Sequence, residues 1–253
     1  MFSEYFKSQQ AIEIVHSELV TQSFTWRIGR CTVSAFSEVS DFEILNKIDE
    51  SDHEIVVLRF PSSRTGLSHS LSSNFPNAFP ADKLLYFVKE LPCLTIERDS
   101  GNQSHVRIAT VDDSGALKGI AESAFRDYNS HYSANSRISK GKILEGYTDW
   151  AVRQLSDASV VLVGANDDGG VDGFLSLQIY DGIAEIVLNA VREQAQGMGM
   201  YKRLLEHAQE YAMKEKCTKI VTSTQATNLK VIHIWESNGF QESLMLDTWH
   251  INR

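Results

Sequence analysis

Two hydrophobic periods take turns along this chain. Glu185-Ile186-Val187-Leu188-Asn189-Ala190-Val191 reads as a buried strand, and Tyr201, Leu204, Leu205, Ala208 and Ala212 then recur at helical spacing. A short Gln/Gly turn separates them, so this stretch predicts strand, turn, helix. The same succession fills the rest of the carboxy-terminal part. Val106 starts a strand, Asp112 or Asp113 can cap a helix whose apolar face runs over 116–125, and a second helix over 139–155 buries Ile143, Leu144, Tyr147, Trp150 and Ala151. Residues 160–163 and 173–179 form a hairpin, and Asp181-Gly182 turns the chain into the stretch quoted first. A strand over 221–225, a helix from Asn228 to Asn238 and a last strand begun by Gly239-Phe240 follow.

The amino-terminal part is patterned differently. Residues 9–20 suit a helix or a strand, 25–36 alternate as strand, and 42–47 fit a helical turn. Residues 55–60 predict a buried strand stopped by Pro61, whereas 62–80, rich in Ser, Asn and Pro, predict a loop. Residues 84–88 and 93–97 read as further strands, and 99–104 form a polar boundary. All four prolines fall between 61 and 92, while most glycines lie beyond 114. The expectation is α/β, with a smaller domain over 1–104 ahead of a second over 105–253.

Composition narrows the partners. A chain of 253 residues, 42% hydrophobic, can bury one large core or two small ones. A net charge of −9 argues against nucleic acid, which needs clustered Lys and Arg. Cys31, Cys93 and Cys217 are scattered without metal-ligand spacing, so reduced, buried thiols and no metal are expected. The amino terminus lacks a basic region followed by an apolar stretch, and no uncharged apolar run has spanning length, which predicts a cytoplasmic protein without membrane insertion. A homodimer is compatible with the sequence.

The candidate chemistry starts at Gly197 and Gly199, which let backbone N–H groups approach a ligand at a helix start, a place that binds anions. A P-loop is excluded because Met200 and Tyr201 follow Gly199, and a dinucleotide fingerprint because Lys202 stands where a third glycine belongs. Gln194-x-x-Gly197-x-Gly199, between strand and helix, resembles the pyrophosphate-binding motif of the GCN5-related N-acetyltransferases. The later strand, Asn228, the helix and Gly239-Phe240 resemble that family's second half, and the element order matches over roughly the last 150 residues. The resemblance implies a GNAT fold, with a mixed, largely antiparallel twisted sheet flanked by helices, and acyl-coenzyme A (acetyl or 3-hydroxybutanoyl) as co-substrate. It implies contacts to coenzyme A from Leu188, Val191, Gln194, Gln196, Gly197, Met198, Gly199, Met200, Tyr201, Asn228 and Trp235.

A narrower similarity is to the bacterial dTDP-fucosamine acetyltransferases, which also place a smaller domain first and carry a comparable Ala-Phe plus aromatic loop. It implies an amine on a nucleotide-linked (dTDP) dideoxysugar as acceptor, for surface polysaccharide. A peptide or aminoglycoside amine, or a sensor without turnover, are the alternatives. Tyr128, His131, Tyr132 and Arg137 fall in the loop over the expected site, where they offer stacking surfaces and donors or, as the plain alternative, only pack on their own domain, and Arg59, Arg64 and Lys83 can add phosphate contacts. As base, the resemblance implies Glu185, which stands six residues before Val191 on the same strand, where the family's histone-acetylating branch places its glutamate, and period-two alternation puts it on one face with Val187, Asn189 and Val191. A solvated strand-end carboxylate is the plain alternative. Asn189 is closer to the expected thioester, either to hold the amine or carbonyl or, equally, as a satisfied polar residue on the sheet. The family's usual tyrosine, seven residues after the junction asparagine, is here Trp235, whose indole donates but cannot deliver a proton. Trp235 is then expected as an apolar wall, and His233 as an alternative donor.

Overall fold

A computed structural model describes residues 1–17, 24–92, 105–166 and 168–253. Its strands and α-helices run β1 (Ser8–Gln9), β2 (Ile14–His16), β3 (Ile28–Thr32), β4 (Phe36–Ser37), α1 (Asp41–Asp49), β5 (Ile55–Pro61), α2 (Thr65–Asn74), β6 (Ala78–Glu90) and β7 (Val106–Ile108). The remainder are α3 (Ser114–Phe125), α4 (Lys140–Asp157), β8 (Val160–Ala165), β9 (Val171–Tyr180), β10 (Ile183–Val191), α5 (Met200–Lys214), β11 (Lys219–Gln225), α6 (Leu229–Ser237) and β12 (Gln241–Asn252). The strand expected over 93–97, with Cys93, lies outside the described residues. No described helix is long and apolar enough to cross a membrane.

Among the described residues ten strands form one sheet in the order β2-β3-β5-β12-β6-β11-β10-β9-β8-β7, antiparallel except at β3/β5 and β10/β11. β6 pairs Leu84 with Gln225 of β11 on one side and with Leu246 of β12 on the other. A strand from before residue 104 thus sits inside the sheet made by residues after it, and strand pairing runs unbroken between the two parts of the sequence.

Alternation decides what covers each face. Val56, Leu58 and Phe60 turn toward α1 and α2 and pack on Ile44, Ile48, Leu67 and Leu71. Farther along the sheet, Leu175, Leu177, Ala184 and Ile186 pack on Leu204, Leu205 and Ala208 of α5. The reverse face carries Leu117 and Ile120 of α3 and Ala151 of α4 against Val161, Val163 and Phe174. There too, Tyr132 and Ile138 from the loop between α3 and α4 cover Ile28, Ile55 and Val57. The two expected thiols among the described residues, Cys31 and Cys217, are free and buried, and burial pushes Cys31 up to about 12.

Local signals explain most boundaries. Ser40 caps α1 by accepting from Glu43 N–H while the Glu43 carboxylate accepts from Ser40 N–H, a reciprocal capping box. Ser139 likewise caps α4. Asp113 does not cap α3 with its side chain. Its carboxylate accepts from Thr110 N–H and from Arg107, which holds it down at about 2.

The expected loop over 62–80 is corrected: α2 and the start of β6 occupy it. Only Leu67 and Leu71, four apart and both fully buried, mark the helix, and Ser72, Ser73 and Asn74 return their side chains to carbonyls four residues back. Pro80 is tolerated because β11 reaches β6 only from Leu84 onward, which leaves that stretch of β6 a neighbour on one side alone.

Candidate active site

Parallel strands β10 and β11 pair only over residues 183–185 and 219–221 and then part. Beyond the split, Leu188 N–H donates to Ser176 Oγ at 3.1 Å, and Ser176 Oγ returns a bond to Leu188 C=O at 3.1 Å. Strand alternation therefore turns the N–H of Asn189 to the open side, where no strand meets it. A cavity of about 790 Å³ fills this opening. Gln196, Gly197, Gly199, Tyr201, Asn228 and Trp235 line one end, Val187, Leu188, Asn189 and Val191 the middle, and Tyr128, His131, Tyr132, Arg59 and Arg30 the other end.

A bulge at Val187 decides which side chains face which part. Ile186 lies opposite Leu177 but Leu188 opposite Ser176, so one residue of β10 goes unmatched and the alternation slips. Glu185 and Asn189 consequently sit on opposite faces, which corrects the expectation of one shared face. Asn189 reaches the cavity. Glu185 is 7% exposed and is not among the lining residues; its Oε2 accepts from Phe2 N–H at 3.0 Å and from Tyr180 O–H at 2.6 Å.

At the first end, Gly197 and Gly199 both hold left-handed backbone, φ 80° and 79°. A Cβ on Gly197 would meet no protein atom within 4 Å, so the space before the loop is open to a ligand. Gly199 starts α5 without a side-chain cap, leaving first-turn N–H groups unpaired by side chains. Lys230 of α6 adds a cation, its Nζ donating to Gln196 Oε1 at 3.1 Å. No sequence signal marked Lys230, because only the packing of α6 turns it toward the loop. Met200 lines the cavity with its side chain buried against Gly164 and Gly173, so it can offer mainly its N–H. Gln194 and Met198, expected here too, are exposed and lie off the cavity.

Trp235 is 1% exposed, with its ring 5.5 Å from that of Phe87. Its Nε1–H donates to the Tyr201 hydroxyl at 2.7 Å. That hydroxyl accepts from the indole and keeps its own proton free to donate; burial pushes its pKa well up, so it stays protonated. A phenol thus stands beside the position where the sequence lacks one, supplied from α5 rather than α6. His233 is exposed and does not line the cavity. Asn228 heads α6, its amide donating to Thr224 Oγ1 at 3.0 Å.

At the second end, the Tyr128 hydroxyl bonds Gln225 Oε1 and the Tyr132 hydroxyl accepts from Arg30 at 2.6 Å. Asp82 stands near Arg59, raised to about 6 by burial. His131 and His250 meet through Nδ1 and Nε2 at 2.8 Å, and His250 Nδ1 lies 3.0 Å from Asn135 Nδ2. Burial, then the Arg59 charge, pushes His131 well below the usual imidazole range and His250 down to about 3. Arg137 is corrected: it donates to the Arg253 carbonyl at 2.9 Å and stacks over Trp26, off the cavity. Arg64 and Lys83 are likewise engaged elsewhere, with Asp41 and Asp247. Among the described residues no group of three or more His, Cys, Asp or Glu is arranged to hold a metal.

Comparison with known proteins agrees with this geometry. Residues 118–240 match the model of the acetyltransferase (GNAT) family. The chain is 22% identical over 214 residues to the spore coat polysaccharide biosynthesis protein SpsD of Bacillus subtilis, covering 83% of this chain and 70% of that one. Its fold is similar to a functionally unknown conserved protein of Staphylococcus epidermidis, with a TM-score of 0.64, 11% identity, and 100% and 98% of the two chains covered. A GCN5-related N-acetyltransferase of Sphaerobacter thermophilus gives 0.57 at 14% identity, over 94% and 75%.

Proposed function

Taking residues 118–240 as an acetyltransferase (GNAT) domain, we propose that this protein moves an acetyl or short acyl group, 3-hydroxybutanoyl included, from acyl-coenzyme A to the amine of a nucleotide-linked dideoxysugar used in surface polysaccharide. The observation that carries the reading is a single cavity with unlike ends, an anion-binding glycine loop at one and an aromatic, basic pocket at the other. Likeness to a polysaccharide biosynthesis protein supports the acceptor class.

Acyl-coenzyme A supplies an activated thioester carbonyl. The N–H groups of the 197–201 turn and Lys230 hold the pyrophosphate, and Asn228 the pantetheine arm. Asn189 N–H, on the open edge of β10, donates to the thioester oxygen as negative charge develops there. The amine attacks directly, its C–N bond forming as the C–S bond breaks. Tyr201, oriented by Trp235, donates a hydrogen bond to the departing sulfur. Its pKa stands far above the ~8.5 of a thiol, so it solvates the thiolate, which takes its proton from the attacking nitrogen. The products are an amide and the free thiol.

Peptide or aminoglycoside amines suit this pocket less well, since two guanidiniums line the acceptor end. The test is thiol release from acetyl- and 3-hydroxybutanoyl-coenzyme A against a panel of dTDP- and UDP-linked 3- and 4-aminosugars. Release with one of them is expected. Coenzyme A binding with silence across the panel would overturn the reading and turn it toward a sensor.

A further inference from the structure

We infer that the acceptor end of the cavity is an anion subsite, in which Arg30, Arg59 and the Nε2–H of His131 receive the charged oxygens of the acceptor. Calling this ligand the acceptor rests on the acyl-transfer reading; the subsite itself does not.

The first argument is charge. β3 and β5 run parallel, with Arg30 opposite Val57 and Thr32 opposite Arg59, so Arg30 and Arg59 are diagonal neighbours on the face that carries Val57. Arg30 donates to the Tyr132 hydroxyl, and Arg59 donates its Nε–H to Thr248 Oγ1 at 3.3 Å and also meets the Tyr5 hydroxyl. Among the described residues neither has a carboxylate within 4 Å; Asp82 is the acidic group nearest in effect, and it bears on Arg59 alone. Arg64 and Lys83, on the same part of the chain, are each paired with an aspartate. Two like charges side by side on a sheet face repel, and guanidiniums present forked donors suited to carboxylate or phosphate oxygens. An anionic ligand supplies the missing counter-charge.

The second argument is the wiring of His131. Arg137 N–H donates to Asn135 Oδ1 at 3.1 Å, and a backbone N–H can only donate, so the amide orientation of Asn135 is set. Its Nδ2 therefore donates to His250 Nδ1, which puts the His250 proton on Nε2 and directs it at His131 Nδ1. His131, buried beside two guanidiniums, is neutral with Nδ1 as acceptor, and its proton sits on Nε2. Among the described residues that N–H has no protein partner, and its residue lines the cavity. Asn135 and His131, from the loop before α4, and His250, from β12, together present one donor, while the Asn135 amide also bonds Asn252. A donor beside two cations is recognition chemistry for an anion.

The ligand group is a diphosphate if the acceptor is a nucleotide-linked sugar, or a carboxylate if it is a sugar acid. The test titrates dTDP and citrate into the full chain saturated with coenzyme A, so that the glycine-loop end is already filled. Binding of dTDP is expected. Arg30→Gln and Arg59→Gln should each weaken it about tenfold or more while coenzyme A affinity is unchanged, the latter showing that the variants fold. Citrate binding more tightly than dTDP, with the same loss in both variants, would support the subsite and assign it to carboxylates. Equal affinity in wild type and both variants, or no binding of either probe, would overturn it. Probe binding lost in the variants without turnover of any aminosugar would keep the subsite and remove the transfer reading. Turnover of an aminosugar with KM unchanged in both variants would do the reverse. In nitrogen-15 spectra His131 should be neutral and protonated at Nε2; the Nδ1–H form would take it out of the subsite.

Discussion

The two ends of the cavity are made from opposite kinds of chain. The glycine-loop end comes mostly from one stretch, residues 187–201, where strand, tight turn and helix start follow without interruption. The opposite end takes Arg30 from β3, Arg59 from β5, His131 and Tyr132 from the loop before α4, and relies on His250 from β12. One is local geometry repeated by any chain with that spelling. The other exists only because a ten-stranded sheet brings distant strands side by side. The first end is built mainly of backbone N–H groups and the second of side chains, so the first should resist most side-chain changes and the second should be retuned by single ones.

The sharpest break of this contrast is Gly197→Val, where the backbone itself is altered. Coenzyme A affinity should fall about a hundredfold or more by calorimetry, since the Cβ enters the open ligand space and the φ of 80° disfavours any Cβ. The folded state should lose only about 1–2 kcal/mol. Unchanged affinity would separate the glycine loop from the cofactor. Next in size is Tyr201→Phe, at the side chain proposed to meet the departing sulfur. It should lower kcat about 10- to 100-fold with KM for acyl-coenzyme A nearly constant, because the lost hydrogen bond is made chiefly to the departing sulfur. A rise in KM alone would make Tyr201 a wall of the cavity instead. Smallest is Glu185→Gln. Held by Phe2 N–H and Tyr180 O–H away from the cavity, Glu185 should shift kcat less than about twofold, and its loss should show as roughly 1 kcal/mol of stability by denaturant titration. A large fall in kcat at constant stability would restore it as the base.

The three variants also mark what could be read without a structure. Gly197 and Gly199 were legible because a left-handed turn before a helix needs glycine, and that need is local. Tyr201 was legible as a lining residue but not as a donor, since its partner Trp235 lies thirty-four residues away and only the packing of α5 against α6 joins them. Glu185 was misplaced by a single unmatched residue: a bulge at Val187 leaves no trace in the hydrophobic pattern, yet it reverses every side chain after it. The helix over Thr65–Asn74 was hidden for a related reason. Two buried leucines are too few to show a period among serines, and α1 and β5 supply the rest of the interface.

By itself the sequence determined the order and type of nearly every element from Val106 onward, the glycine turn and the family it resembles. Each of these depends on a residue and its neighbours within one or two turns, where spacing alone carries the physics. Only the tertiary structure decided that β6 enters the sheet between β11 and β12, that Arg64 and Lys83 are paired with aspartates while no ion pair forms at Arg59 among the described residues, and that His131 is tied to His250 across 119 residues. Those outcomes hang on which strands become neighbours and on which face a side chain emerges. Long-range pairing sets both, and no local pattern encodes it.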